Sequence, residues 1–118
     1  MKKIELDKLE ITLASEPEQK FAVLLTQEDC ADCTANENRL KNAFSSVSEI
    51  IWYKVYLTDE TPFFAPSVVP AVVFFEGRNR LFEAFGLLED SSMDAFVQFV
   101  RSSLNLTDGE KWLSSTVE

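Results

Sequence analysis

The chain has 118 residues, 46% of them apolar, which is enough to bury the core of one compact domain. Its 11 basic and 20 acidic residues leave a net charge of -9, a field that repels nucleic acid and anionic membranes and favours neutral or basic partners. Two cysteines and no histidine exclude a multi-bridge secreted framework and leave one subunit short of the four ligands of an ordinary structural zinc site.

The N-terminal MKKIELDKLEITLASE begins with two lysines, but Glu5, Asp7, Lys8 and Glu10 break up the stretch after them, so no apolar signal-peptide core forms. No run approaches the roughly 18–20 apolar residues of a membrane span. The expected location is the cytoplasm, with no membrane or nucleic-acid partner. Ile4 to Leu6 reads as a short strand, and Asp7 can cap a helix with Leu9 and Leu13 on one face. The alternation of Leu9, Ile11 and Leu13 fits a strand equally well.

FAVLLT from Phe21 is nearly all apolar, as a central strand covered on both faces requires. The cysteine segment QEDCADCTANE follows. Beyond it Leu40, Ala43, Phe44 and Val47 recur at helical spacing, predicting a helix from about Cys30 to Phe44. IIWYKVYL from Ile50 is β-rich, a second core strand. TDETPFFAPS is a proline-punctuated connection. AVVFF from Ala71, the turn EGRN and RLFEAF from Arg80 form a hairpin that Gly86 ends. Asp90, Ser91 and Ser92 offer an N-cap to a helix with Met93, Phe96, Val97, Val100 and Leu104 on one face. The remaining tail is polar, with Leu106, Trp112 and Leu113 as docking points. Strand and helix alternate in the first part, which requires parallel pairing, and the hairpin adds antiparallel strands. The expected fold is α/β, a central mixed sheet flanked by helices on both faces. It forms a single domain over 1–118 with its core at about 3–104 and a tail at 105–118.

Cys30 and Cys33 are the candidate chemistry. Cys30 follows a strand and opens a helix, and residues three apart on a helix share a face, so the two sulfurs can reach disulfide distance. The first-turn N–H groups have no helical partner and, with the helix dipole, favour a thiolate at Cys30. Cys30 is therefore the candidate nucleophile and Cys33, one turn in, the candidate resolving thiol. Two other readings stand beside this one. The pair can be two small buried apolar residues, or two subunits can share a four-cysteine metal or iron–sulfur site. Glu28, Asp29 and Asp32 oppose thiolate formation, so Asp29 and Asp32 are candidate modulators of the pair.

Three segments in order resemble the thioredoxin superfamily: FAVLLTQEDCADC, VVPAVVFFEGRNR and EAFG. The resemblance spans roughly residues 3 to 104 and implies a thioredoxin-like fold with a Cys-Ala-Asp-Cys redox motif. It also implies that Pro70 is a cis-proline beside the cysteines, with Val69 before it offering backbone groups to a client. Without the resemblance, Pro70 reads as an ordinary trans proline opening a strand. The chain departs from the family at several positions. Asp29 replaces the tryptophan common before the first cysteine, Ala31-Asp32 replaces Gly-Pro, and Leu24 replaces a buried aspartate that assists the buried thiol. Lys54 matches the lysine that partners that acid. With leucine at 24 it reads as a solvated strand lysine.

The resemblance implies a thiol–disulfide oxidoreductase that reduces or exchanges disulfides in client proteins, needs no cofactor or metal, and is recharged by a thioredoxin reductase. The departures favour a second reading, a thioredoxin-like accessory or binding module of the bacteriocin-transport type with little redox turnover.

Overall fold

The computed structural model describes residues 1–57 and 70–106. Its elements in chain order are β1 (Lys2–Lys3), α1 (Leu6–Ser15), β2 (Lys20–Thr26), α2 (Ala31–Ala43), β3 (Ile50–Tyr56), β4 (Ala71–Glu76), β5 (Asn79–Phe85) and α3 (Met93–Leu104). A 3-10 turn over Asp90–Ser92 leads into α3. The strands form one five-stranded sheet in the order β1-β3-β2-β4-β5. β1 and β2 run parallel to β3, whereas β4 is antiparallel to both β2 and β5.

β2 is central, and both of its faces are covered. Phe21, Val23 and Leu25 meet Leu9 and Leu13 of α1 on one side, while Ala22 and Leu24 meet residues of α2 and α3 on the other. This double burial explains why the strand carries an unbroken apolar run. The helices thus lie on both faces of a mixed sheet, as the alternation of elements predicts. On the α2/α3 side, the Phe74 ring stacks on Phe82 at 4.8 Å and meets Trp52 and Phe96 edge-on at 6.0 and 6.1 Å. This aromatic cluster joins α3 to three strands and fixes how the second layer sits.

Some local expectations shift. The first strand lies at Lys2–Lys3 rather than Ile4–Leu6, although the Ile4 N–H still donates to the Lys54 carbonyl at 3.0 Å. α1 begins at Leu6 with Glu5 as its cap residue, because Leu6 packs onto the core and pulls the helix start forward. Asp7 instead sits in the first turn, where its carboxylate accepts the Lys8 N–H at 2.9 Å and suits the dipole. The ambiguity over Leu9, Ile11 and Leu13 resolves as a helix: the two leucines are buried, and Ile11 points away, 71% exposed. Ser92 occupies the cap of α3, but its hydroxyl donates to the Glu89 carbonyl rather than accepting a helical N–H.

The hairpin closes through Gly77 and Arg78, with Glu76 opposite Asn79. Gly77 has φ +57°, and a Cβ there would stand 2.6 Å from the Pro17 carbonyl oxygen, so the tight approach of the two loops requires glycine. A register shift between Phe74 and Phe75 leaves Leu81 as the extra residue on β5. Beyond α3, Asn105 takes the left-handed cap conformation at φ 58° and Leu106 docks into the core. The proline-punctuated connection, Val69, Trp112 and Leu113 lie outside the described residues.

Candidate active site

β2 delivers the chain to one end of the sheet at Thr26, whose carbonyl accepts the Leu57 N–H at 2.8 Å. Residues 27–29 cross the sheet end, and Asp29 turns the chain with a left-handed φ of 56°. For a non-glycine residue that conformation is strained, though aspartate is among the residues that tolerate it best. The turn sets Cys30 in extended conformation at the N-cap of α2, at φ -111° and ψ 101°.

At that cap the Cys33 N–H donates to Cys30 Sγ at 3.1 Å, so the cysteine sulfur stands where a serine or aspartate oxygen usually caps a helix. The Cys30 carbonyl accepts the Thr34 N–H at 3.2 Å. The two cysteines form a disulfide with their Cα atoms 5.2 Å apart. Cys30 is half-buried and Cys33 is 1% exposed. An open groove of about 420 Å³ runs beside Cys30, bordered by residues 26–31, Thr34, Glu37 and Tyr56. Glu28, Asp29 and Asp32 are exposed around it. None of the three has a cationic partner among the described residues.

Lys54 is not the solvated lysine expected from the leucine at 24. It pairs in register with Leu24, which turns its side chain toward α2, and its Nζ lies 3.1 Å from Glu37 Oε2. The side chains of Lys54 and Glu37 are only 20% and 15% exposed. Donating to the Glu37 carboxylate holds the Lys54 ammonium above its ordinary pKa, against the opposing effect of burial. Tyr56, on the groove wall, has Lys3 Nζ 4.9 Å and Lys54 Nζ 5.9 Å from its ring centre.

A second pair of side chains on α2 holds the chain between β5 and α3. Asn36, fully buried one turn after Cys33, accepts the Leu88 N–H at 2.9 Å. Arg39 donates to the Leu88 carbonyl at 2.6 Å and pairs with Asp90 at 3.3 Å. Pro70 is buried directly before β4, and its carbonyl accepts the Gly86 N–H at 2.7 Å. Leu25 pairs with Ala71, so Pro70 stands level with Thr26, at the sheet end from which the cysteine segment departs. Among the described residues, no cluster of three metal-ligating side chains occurs.

Glu37, Asn36 and Arg39 are not among the site residues that the sequence suggests. A signal for Asn36 is nevertheless present, since Cys33, Asn36 and Leu40 share the buried stripe of α2. A polar residue in an apolar stripe implies a specific partner.

No family model and no curated protein sequence matches the chain. Solved structures do. Thioredoxin f2 of Chlamydomonas reinhardtii superposes with a TM-score of 0.73 at 13% identity, covering 86% of this chain and 94% of that one. A chloroplastic thioredoxin z gives 0.66 at 17% identity over 86% and 95% of the two chains. A thioredoxin f2, solved in complex with ferredoxin:thioredoxin reductase, gives 0.70 at 12% identity over 85% and 94%. The chain has the thioredoxin fold, and it carries a Cys-x-x-Cys disulfide at the start of a helix that leaves the central strand.

Proposed function

We propose that this protein is a thiol–disulfide oxidoreductase that reduces or exchanges disulfides in client proteins through Cys30 and Cys33. The observation that carries this reading is the disulfide at the N-cap of α2, with the sulfur of the half-buried Cys30 receiving the Cys33 N–H at 3.1 Å and Cys33 itself covered. In the reduced form, that N–H and the helix dipole favour the Cys30 thiolate. The thiolate attacks a client disulfide, forms a mixed disulfide, and expels one client thiolate, which takes a proton. Cys33 then gives up its own proton and attacks Cys30 Sγ. The Cys30–Cys33 bond closes, the second client thiol leaves, and two electrons have passed from protein to client.

The reading includes Pro70 and Val69 as the backbone that seats the client, and Asp29 and Asp32 as charges that modulate Cys30. It includes a reductase that returns the pair to the dithiol form. One thioredoxin-fold neighbour is seen with ferredoxin:thioredoxin reductase, which supports a reductase partner in general terms. A reducing compartment, the cytoplasm, keeps such a pair in turnover. Among the described residues, no helix is long and apolar enough to cross a membrane.

The accessory-module reading is favoured by the departures at Leu24, Asp29 and Ala31-Asp32, and the acids at 28, 29 and 32, which have no cationic partner among the described residues, oppose thiolate formation. Insulin reduction by dithiothreitol separates the two. Under the proposed function the parent accelerates the reaction, Cys30→Ser abolishes the acceleration, and Cys33→Ser accumulates mixed disulfides. A parent no faster than dithiothreitol alone rejects the oxidoreductase reading.

A further inference from the structure

The groove beside Cys30 has a definite charge. Glu28 and Asp29 border it with exposed carboxylates that have no cationic partner among the described residues, and Asp32 is exposed on the first turn of α2, between the two cysteines in sequence. Glu37 borders it as well, but Lys54 balances it at 3.1 Å. Lys3 Nζ lies over the outer wall at Tyr56, 4.9 Å from the ring centre. Three carboxylates with no cationic partner among the described residues thus stand near the sulfur that a client disulfide must approach. The net charge of -9 on the whole chain has the same sign and reinforces the local field at long range.

We infer that this groove selects client disulfides flanked by lysine or arginine. The inference rests on the oxidoreductase reading and adds the chemical class of its substrate. Attack requires the client sulfur to lie within bonding reach of Cys30 Sγ, so residues next to the client cysteine must pass over Glu28 and Asp29. Basic side chains there gain attraction at the encounter and in the mixed disulfide, and acidic ones are repelled in both. The carboxylates are solvent-exposed, so the effect is one of rate and is screened by salt. Thiol exchange supplies the chemistry in every case, and the groove decides which disulfides reach it first.

The test uses three disulfide-linked peptides that differ only in the residues flanking the cysteines: lysine, glutamine or glutamate. The full chain is reduced with dithiothreitol, freed of excess reductant and mixed with each peptide. Client thiol release is followed by rapid quench. At about 20 mM salt the lysine peptide is expected to react roughly tenfold faster than the glutamate peptide, with glutamine between them. At about 500 mM salt the ratio should fall to roughly twofold. The double variant Glu28→Gln, Asp29→Asn should cut the low-salt ratio to about threefold or less, and asparagine suits the left-handed backbone at 29. The double variant Glu16→Gln, Glu18→Gln removes the same charge at the opposite end of β2 and should leave the ratio within about a factor of 1.5 of the parent. Equal rates for the three peptides overturn the inference and leave the oxidoreductase reading standing, as does a preference that ignores salt. Equal effects of the two double variants overturn the assignment to the groove. If none of the peptides, the glutamine one included, is reduced, the oxidoreductase reading falls and this inference with it.

Discussion

Glu37 on α2 and Lys54 on β3 are joined at 3.1 Å across the seam between helix and sheet, with both side chains mostly shielded from water. Shielding makes the pair stronger than an exposed one, and removing one partner leaves a half-buried charge without its counterion. A double-mutant cycle with Glu37→Gln and Lys54→Met is expected to give a coupling of about 0.5–1 kcal/mol in urea unfolding. Additive effects within error would show that the pair does not hold the seam.

The same pair predicts an alkaline signature. The Lys54 pKa in the folded state lies above its ordinary 10.5, chiefly because of the Glu37 hydrogen bond. A raised pKa on a cation means stability that is fully present below the unfolded value and lost as pH rises through the folded one. The gap in unfolding midpoint between parent and Lys54→Met should therefore stay constant through neutral and mildly alkaline pH. Above about pH 10.5 it should shrink. A gap that widens there would reverse the sign of the argument.

This pair also marks where the sequence is silent. The central strand is legible because burial on both faces demands an unbroken apolar run, the hairpin because its turn residues separate two β-rich segments, and the helical face from Met93 to Leu104 and the helix after Cys30 because burial of one face imposes a period that survives in the chain. The cysteine pair is legible because its two members are close in sequence. Lys54 is not, because its meaning depends on which α2 residue faces it, and that follows from the crossover geometry rather than from any local pattern. Without that geometry, the leucine at 24 leaves the lysine with no visible acid. Asn36 is hidden differently. TANENRLKN looks like a solvated helix surface, and only the helix phase set by Cys33 and Leu40 shows that one of its polar residues points inward. The start of α1 is displaced because Leu6 finds core contacts, which outweigh the capping preference of Asp7.

Asn36 gives the next prediction. Its side chain accepts the Leu88 N–H, and Arg39 donates to the Leu88 carbonyl, so α2 grips both backbone polar groups of one residue. Asn36→Ala leaves the Leu88 N–H without its acceptor, at an expected cost of about 1–3 kcal/mol in urea unfolding. Hydrogen exchange at the Leu88 amide should accelerate in this variant while amides in β2 keep their protection. Unchanged exchange at Leu88 would mean that another group takes over the bond.

Asp29 carries a backbone prediction distinct from its charge. At φ 56° a β-branched side chain is strained, whereas asparagine and glycine are tolerated. Asp29→Val is expected to destabilise by about 1–2 kcal/mol, and Asp29→Asn and Asp29→Gly should stay within about 1 kcal/mol of the parent in either direction. Denaturant midpoints for the three variants provide the check, and a valine variant as stable as the asparagine one would contradict the strained turn.

Asp32 tests whether the acids around the pair act on the chemistry itself. It is exposed in the first turn of α2, between the two cysteines in sequence and two residues from the partly exposed Cys30. In the reduced protein its carboxylate opposes a thiolate at Cys30, so Asp32→Asn should shift the thiolate titration of Cys30 to lower pH. At separations of about 6–8 Å and an effective dielectric of ~40–80, the lost repulsion corresponds to a roughly two- to tenfold change in the thiol–thiolate equilibrium. If Cys30 in the parent is mostly thiol at pH 7, alkylation by iodoacetamide speeds up by that factor and the reduction potential moves little. If it is already mostly thiolate, alkylation barely changes and the variant becomes the stronger oxidant, because its reduced form is stabilised. Thiolate absorbance against pH for the two proteins distinguishes the cases. A titration curve that stays in place, or moves to higher pH, would show that Asp32 exerts no electrostatic control over Cys30.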